Sequence, residues 1–199
     1  MRPEWILAFD TSAAHCAAAL LCGDRVVRRH EAMAKGQAER LMVMLEEMLA
    51  EAEISWADLC VVGVGTGPGN FTGVRISVAA ARGLALGLGI PAIGVTALEA
   101  AAFGASLPVQ VVLDARRDEV YVQSFSDNGP GEARLVAAVA RPAGDVIGHG
   151  GVAPKYPIAE AIARIAAERL QQPQPRPAPF YLRGADAAPP ADSPPVILP

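Results

Sequence analysis

The sequence predicts an α/β protein in which buried strands alternate with helices. Its 199 residues suffice for one compact unit or for two small lobes that share a cleft. Three observations carry the prediction: short apolar runs near residues 5–10 and 59–65 are typical of buried strands, helical periodicity separates them, and a second group of strand-like runs begins after residue 105. We therefore expect a first lobe at 1–105, a smaller lobe at 106–172 and a proline-rich tail at 173–199.

The elements of the first block follow from apolar spacing. EWILAFDTS is typical of a buried strand that ends in a carboxylate, and the two runs around the Gly23-Asp24 turn predict a hairpin. A helix is predicted over residues 38–52, where apolar residues recur at three- and four-residue spacing: Leu41, Met44, Leu45, Met48, Leu49 and Ala52. A strand at 59–65, a glycine-rich loop, a helix over about 73–88 and a short AIGV strand follow. Thr96 and Glu99 predict a capping box at a third helix.

The second block begins with two strand-like runs, VQVVLDAR and EVYVQSF, around a polar turn at 116–118. RLVAAVA predicts a further strand, and residues 158–170 predict a helix with cations toward its C-terminal end. From Pro173 onward the density of prolines excludes helix and central strand. This stretch contains one short apolar segment, PFYLR.

Composition and charge narrow the classes of function. Hydrophobic residues make up 52 % of the chain and charged residues 19 %, below the roughly 25 % typical of soluble proteins. This deficit suggests that some apolar surface meets a partner. The net charge of −4 argues against a protein that grips nucleic acid alone, because phosphate contacts need clustered Lys and Arg.

The cysteines, the histidines and the lengths of the apolar segments indicate a cytoplasmic protein without metal chemistry. Cys16, Cys22 and Cys60 are odd in number and form no CxxC pair, which is typical of reduced, buried thiols. The three histidines lack metal-ligand spacing. No segment has the roughly 20 uninterrupted apolar residues of a membrane span.

The loop GTGPGNFTGVR lies where nucleotide-binding proteins keep their phosphate loops. It has no lysine for a Walker motif, and the GxGxxG pattern fails in every frame. Free amides at the start of the following helix could still hold an anion. The other interpretation is a tight strand-to-helix turn whose glycines allow close packing. The residues of the loop favour this second interpretation.

A second candidate phosphate site is Asp10, Thr11 and Ser12 at the end of the first strand. Sugar kinases and actin-like ATPases have an Asp here, followed two residues later by a glycine that lets backbone amides approach the phosphate. Ser12 occupies that glycine position in this chain. We therefore expect at most a weak site, and a simple turn is the alternative.

The two long helices are candidates for a protein interface. The first carries a wide apolar face crowded with methionines, and the second is apolar nearly all round apart from Arg75, Ser77 and Arg82. Ordinary core packing is the competing interpretation. The predicted interface residues are Leu41, Met44, Leu45, Met48, Val74, Arg75, Val78 and Arg82.

Five stretches, in order, resemble the bacterial TsaB (YeaZ) family: ILAFDTS, GTGPGNFTGVRIS, ARGLALGLGIPAIGVTALEA, DARRDEVYV and FYLR. The glycine loop is the most specific of them, and the resemblance is strong over residues 5–125. The second lobe looks shortened by comparison. Gln37 stands where many relatives have a histidine, so any role of that histidine is absent or moved.

The resemblance implies an actin-like, RNase H-like fold of two lobes and a role in forming threonylcarbamoyladenosine beside the tRNA anticodon. In that family TsaB is the non-catalytic partner, the paralogue TsaD carries the transferase centre, and TsaE is an ATPase. The implied partners are thus TsaD-like and TsaE-like proteins, or a second copy when the chain is alone, with tRNA met only through the complex. No intrinsic cofactor is implied, and ATP and Mg act at the level of the complex. The alternative is an ATP-dependent phosphotransferase or ATPase of the same superfamily using Asp10 and the glycine loop.

Overall fold

The computed structural model describes residues 4–142 and 144–183. The predicted proline-rich tail lies outside the described residues from position 184 onward. Within the described residues the chain forms two five-stranded sheets, each with its own apolar core.

The first sheet contains the N-terminal strands in the spatial order β3-β2-β1-β4-β5. The first three strands form an antiparallel meander, and β4 and β5 extend it in parallel with β1. Antiparallel strands followed by parallel ones agree with the predicted hairpin and with later strands that each need a crossover helix. The strands are β1 (Trp5–Asp10), β2 (His15–Cys22), β3 (Arg25–Ala32), β4 (Leu59–Gly65) and β5 (Ala92–Val95).

Helices cover both faces of this sheet, which explains why β1 and β2 are near-continuous apolar runs instead of alternating apolar and polar residues. On one face lie α1 (Gln37–Glu51) and α2 (Phe71–Leu88), which enclose a core that includes Leu7, Phe9 and Leu20. On the other face lies α4 (Ile158–Arg169), packed on β1, β2 and β4. The first two helices begin within two residues of their predicted starts.

The position of α4 differs from the expected lobe boundary. The sequence placed this helix in the lobe at 106–172, yet it buries its apolar side against the first sheet. Its Glu160, almost fully buried, is held by Arg28 of β3 at 2.9 Å and by Arg164 at 2.7 Å. The first lobe is therefore assembled from both ends of the described chain.

The second sheet has the order β10-β6-β7-β8, with β9 paired to the same side of β7 as β8. Each of the predicted runs VQVVLDAR, EVYVQSF and RLVAAVA contains a strand, although the first ends at Asp114 and the last at Ala137, and the short strands β8 and β10 were not predicted. The strands are β6 (Val109–Asp114), β7 (Glu119–Ser126), β8 (Gly129–Pro130), β9 (Arg134–Ala137) and β10 (Val146–Gly148).

A short helix, α3 (Ala97–Ala102), lies between the two sheets in sequence and packs on β6 and β7. Thr96 caps it by accepting a hydrogen bond from the Glu99 N–H at 3.1 Å, as predicted. The Glu99 carboxylate does not turn back to complete the capping box. It pairs instead with Arg169 of α4, so this side chain joins α3 to the first lobe.

Candidate functional site

Asp10 ends β1 and is fully buried. Its Oδ1 accepts hydrogen bonds from the Ser12 N–H at 3.0 Å and the Ser12 hydroxyl at 2.9 Å, and it lies 2.8 Å from Nε2 of His15. Its Oδ2 has no hydrogen-bond partner among the described residues. The carboxylate therefore organises the turn from β1 to β2.

The glycine loop lies directly on this turn. The Asn70 N–H donates to the Ser12 carbonyl at 2.6 Å, and the Thr11 hydroxyl donates to the Gly73 carbonyl at 2.6 Å. A Cβ at Gly69 would overlap the carbonyl oxygen of Ser12, and one at Gly73 would overlap that of Thr11. The glycines are thus required where two segments of backbone meet, as the packing interpretation predicts.

The loop also satisfies one of the first amides of α2 from within. Asn70 is the N-cap residue, and its Oδ1 accepts the Gly73 N–H at 2.9 Å. A Cβ at Gly65 would overlap Oδ2 of Asp10, so the loop closes over the carboxylate as well. Asp10, Thr11 and Ser12 are thus engaged in contacts within the chain, with the glycine loop packed on them.

A cleft of about 870 Å³ lies between the lobes. The turn after β1 and the start of α2 form one wall, and Asp114, Arg116 and Tyr121 belong to the other. Asp114 accepts the Arg116 N–H at 2.9 Å, and Glu119 pairs with Arg183 at 2.6 Å. The two carboxylates that flank the β6–β7 turn, Asp114 and Glu119, are therefore engaged in contacts within the chain.

The predicted interface residues divide into two groups. Six of the eight are at most 2 % exposed and form the core between the helices and the first sheet: Leu41, Met44, Leu45, Met48, Val74 and Val78. This differs from the prediction, because apolar spacing locates an apolar face without saying whether a sheet already covers it. Arg75 is exposed, and Arg82 is half-buried with an Nε that has no partner among the described residues.

The opposite side of α2, together with part of α1, is largely apolar and uncovered. Met42 and Val43 of α1 are 37 % and 48 % exposed, and Phe71 and Leu86 of α2 are 43 % and 83 % exposed. Ala79, Gly83 and Gly87 are exposed between them on α2. We call this surface of α1 and α2, including Arg75, the outer face, and the six buried residues the inner face.

The sequence contained a signal for the outer face that the periodicity argument missed. Arg75 must point toward solvent, and residues three or four positions away share its side of a helix. Phe71 and Ala79 lie four residues before and after it, and Leu86 lies four after Arg82. Arg75, which is exposed, therefore marks the uncovered side.

By length and composition, α2 could cross a membrane, with a mean hydropathy of 1.3. Only 28 % of it is buried, although it packs against β4 and β5. No other helix in the described ranges meets the same criteria. α2 therefore presents a long apolar surface away from the core.

Gln37 and the cysteines have local roles. The Gln37 side-chain amide donates to the Met33 carbonyl at 3.2 Å, at the start of α1. Burial raises the pKa of the Cys16 thiol to about 11, and burial also raises that of Cys60. Over residues 4–142 and 144–183, no three His, Cys, Asp or Glu side chains gather as a metal site would require.

The order of the first sheet, the helices on both of its faces and the second smaller sheet define a two-lobed protein of the actin-like, RNase H-like class, as the sequence predicted. Within that class the chain belongs to the family described as "TsaD: tRNA N6-adenosine threonylcarbamoyltransferase", whose model matches residues 30–188. The predicted relation to TsaB (YeaZ) is confirmed by the individual relatives.

Three relatives illustrate the similarity. The tRNA threonylcarbamoyladenosine biosynthesis protein TsaB of Escherichia coli is 35 % identical over 144 residues, which cover 69 % of this chain and 62 % of the relative. An uncharacterized protein of Mycobacterium tuberculosis is 34 % identical over 92 % of this chain and 94 % of its own length. The solved structure of YeaZ from Pseudomonas aeruginosa matches with a TM-score of 0.69 and 26 % identity, over 90 % of this chain and 100 % of that chain.

Proposed function

We propose that this chain is a non-catalytic subunit of the machinery that forms threonylcarbamoyladenosine in tRNA, and that it docks a TsaD-like transferase through the outer face of α1 and α2. The single observation that carries the docking role is α2, an 18-residue helix whose outer side is apolar and uncovered. An apolar patch of several hundred Å² is rarely left in water, since burial is worth about 25 cal/mol per Å². The TsaB relatives support the assignment to tRNA modification.

The remaining partners follow from the same proposal. A TsaE-like ATPase joins the complex, tRNA is met only through the assembly, and the setting is the cytoplasm. When the chain is alone, the outer face pairs with a second copy about a two-fold axis. Because a TsaD-like subunit has a related fold, it replaces one copy, and the two assemblies compete.

The test introduces one charge into the outer face. Leu86→Glu is expected to lower tRNA modification more than tenfold when the partner proteins are supplied, because an unpaired charge in a dry interface is costly. Leu107→Glu is the matched control, since Leu107 is also exposed but lies before β6 in the second lobe. Full modification by a folded Leu86→Glu protein would show that docking uses another surface.

An ATP-dependent phosphotransferase is the alternative function. Against it stand the engaged Oδ1 of Asp10 and the glycine loop that packs on Ser12. Calorimetric titration of the isolated protein with Mg-ATP separates the two proposals, and we expect no binding in the micromolar range. Asp10→Ala is likewise expected to leave tRNA modification largely intact as long as the fold is preserved, whereas micromolar binding with turnover would favour the enzyme.

A further inference from the structure

Residues 177–183, which we call the strap, follow α4 and run along the first lobe toward the cleft. Pro177 is buried and lies beside Gly94 of β5. The Phe180 N–H donates to the Thr66 carbonyl, just after β4, at 2.8 Å. The strap is therefore attached to the parallel edge of the first sheet.

The end of the strap is attached to the second lobe. Leu182 packs against the apolar core of that lobe. Arg183 donates to the Ala115 carbonyl at 2.9 Å and pairs with Glu119 at 2.6 Å. Seven residues thus connect the two lobes across the mouth of the cleft.

Between these two attachments the strap contacts the start of α2. The Tyr181 ring lies 5.1 Å from the Phe71 ring, and the Tyr181 hydroxyl accepts a hydrogen bond from Nε of Arg75 at 3.0 Å. The Arg75 guanidinium carbon lies 3.6 Å from the centroid of the Phe71 ring. A cation–π contact and a hydrogen bond together restrict Arg75 to one orientation.

The orientation leaves the functional end of Arg75 available. Within the described ranges, neither Nη1 nor Nη2 of Arg75 makes a hydrogen bond or an ion pair. Several other arginines instead form ion pairs with acids of the same chain, as Arg40 does with Glu31 and Glu47. The charged side chains of α2 are Arg75 and Arg82, and no acid among the described residues pairs with either of them, which leaves both cations available to an acid of a partner.

We propose that Tyr181 is a positioning residue of the docking surface: it holds Arg75 so that both terminal nitrogens meet the carboxylate of an Asp or Glu on a helix of the TsaD-like subunit. The proposal rests on the docking role proposed for the outer face. Two parallel N–H groups match a carboxylate in a bidentate pair, and an arginine already fixed loses less freedom on binding. Through Tyr181 the strap couples the second lobe to the docking surface.

The experiment measures affinity for the TsaD-like subunit in a double-mutant cycle. Tyr181→Phe keeps the ring and removes the hydroxyl, and we expect it to weaken binding about fivefold, because Arg75 is then no longer held in place and must be ordered on binding. Arg75→Ala is expected to weaken binding by at least about tenfold and to reduce its salt dependence. In the Arg75→Ala background Tyr181→Phe should have no further effect, since the hydroxyl acts through the arginine.

The controls separate positioning from folding and from docking itself. Tyr156→Phe, at a tyrosine that stacks on Phe103 away from α2, should leave binding unchanged. Suppose that Leu86→Glu abolishes docking. Unchanged binding by Tyr181→Phe, or additive effects of Tyr181→Phe and Arg75→Ala, would then overturn the role of Tyr181 alone. If Leu86→Glu also binds normally, the docking proposal itself is wrong. An effect confined to self-association would overturn the choice of partner.

Discussion

The inner and outer faces of α1 and α2 both contain large apolar side chains, but those of the inner face are buried and those of the outer face are exposed. The inner face contains Leu and Met side chains that fit between the helices and β1, β2 and β4. The outer face of α2 combines small residues such as Ala79 and Gly83 with two arginines and a few large apolar side chains. Small residues and charges together therefore distinguish a face that another helix can approach from one built for the protein's own core.

The largest expected difference between the faces is in stability. Leu45→Glu should destabilise the fold by more than about 3 kcal/mol, because Leu45 is fully buried and the new carboxylate would have no partner in the core. Val43→Glu, two residues away on the outer face, should change the free energy of unfolding by less than about 0.5 kcal/mol. Urea denaturation of both variants measures the contrast, and equal losses would mean that both faces are core.

A second contrast uses two glycines of α2. Gly73→Ala should destabilise the protein by about 3 kcal/mol, because the added Cβ would overlap the Thr11 carbonyl and force the loop from the β1–β2 turn. Gly83→Ala should stabilise it by about 1 kcal/mol, since nothing lies within 4 Å of the new Cβ and alanine favours helix. The same Gly83→Ala change should weaken association by keeping the partner helix farther away. Thermal melting and sedimentation test the two effects separately.

The smallest expected effect concerns the charged rim of α1. Hydrogen bonds from Arg40 hold the pKa values of Glu31 and Glu47 below their ordinary 4.5. Because the folded pKa values are depressed, the stabilisation is complete above pH 4.5 and is lost as the pH falls through the folded values. Arg40→Gln should lower the melting temperature by only about 2 °C at neutral pH, and the difference from the parent should vanish in acid.

Arg134→Gln is the control for that measurement, since Arg134 has no ion pair among the described residues. It should leave the pH dependence of the melting temperature unchanged. If the melting temperatures of Arg40→Gln and Arg134→Gln varied with pH in the same way, the ion pairs of Arg40 with Glu31 and Glu47 would contribute nothing to stability.

Much of the fold could be predicted because it depends on local patterns. The alternation of strands and helices, the Gly23-Asp24 hairpin and the Thr96 cap each follow from a few neighbouring residues. The sequence also predicted that the glycine loop serves packing, because the lysine and the hairpin glycine of phosphate sites are missing. What these features share is a cause that acts within one short segment.

The remainder depends on contacts between distant segments. The spacing in α4 predicts an apolar side without identifying which of two sheets it covers, and its pairing of Glu160 with Arg28 spans 132 positions. The same limit applies to the inner face, where burial depends on the position of the first sheet. The apolar PFYLR segment is visible in the sequence, but the hydrogen bond that Arg75 donates to its Tyr181 spans 106 positions and leaves no local pattern.

The edge strand β3 has a consequence for aggregation. It ends the first sheet and would offer unpaired backbone groups to a strand of another molecule, a common route to misassembly. Its side chains instead include four charged residues, with Arg28 and Arg29 anchored to acids on α4 and α1. Growth of the sheet from molecule to molecule is thereby disfavoured. The outer face can therefore be exposed without β3 beside it offering a site for fibril growth.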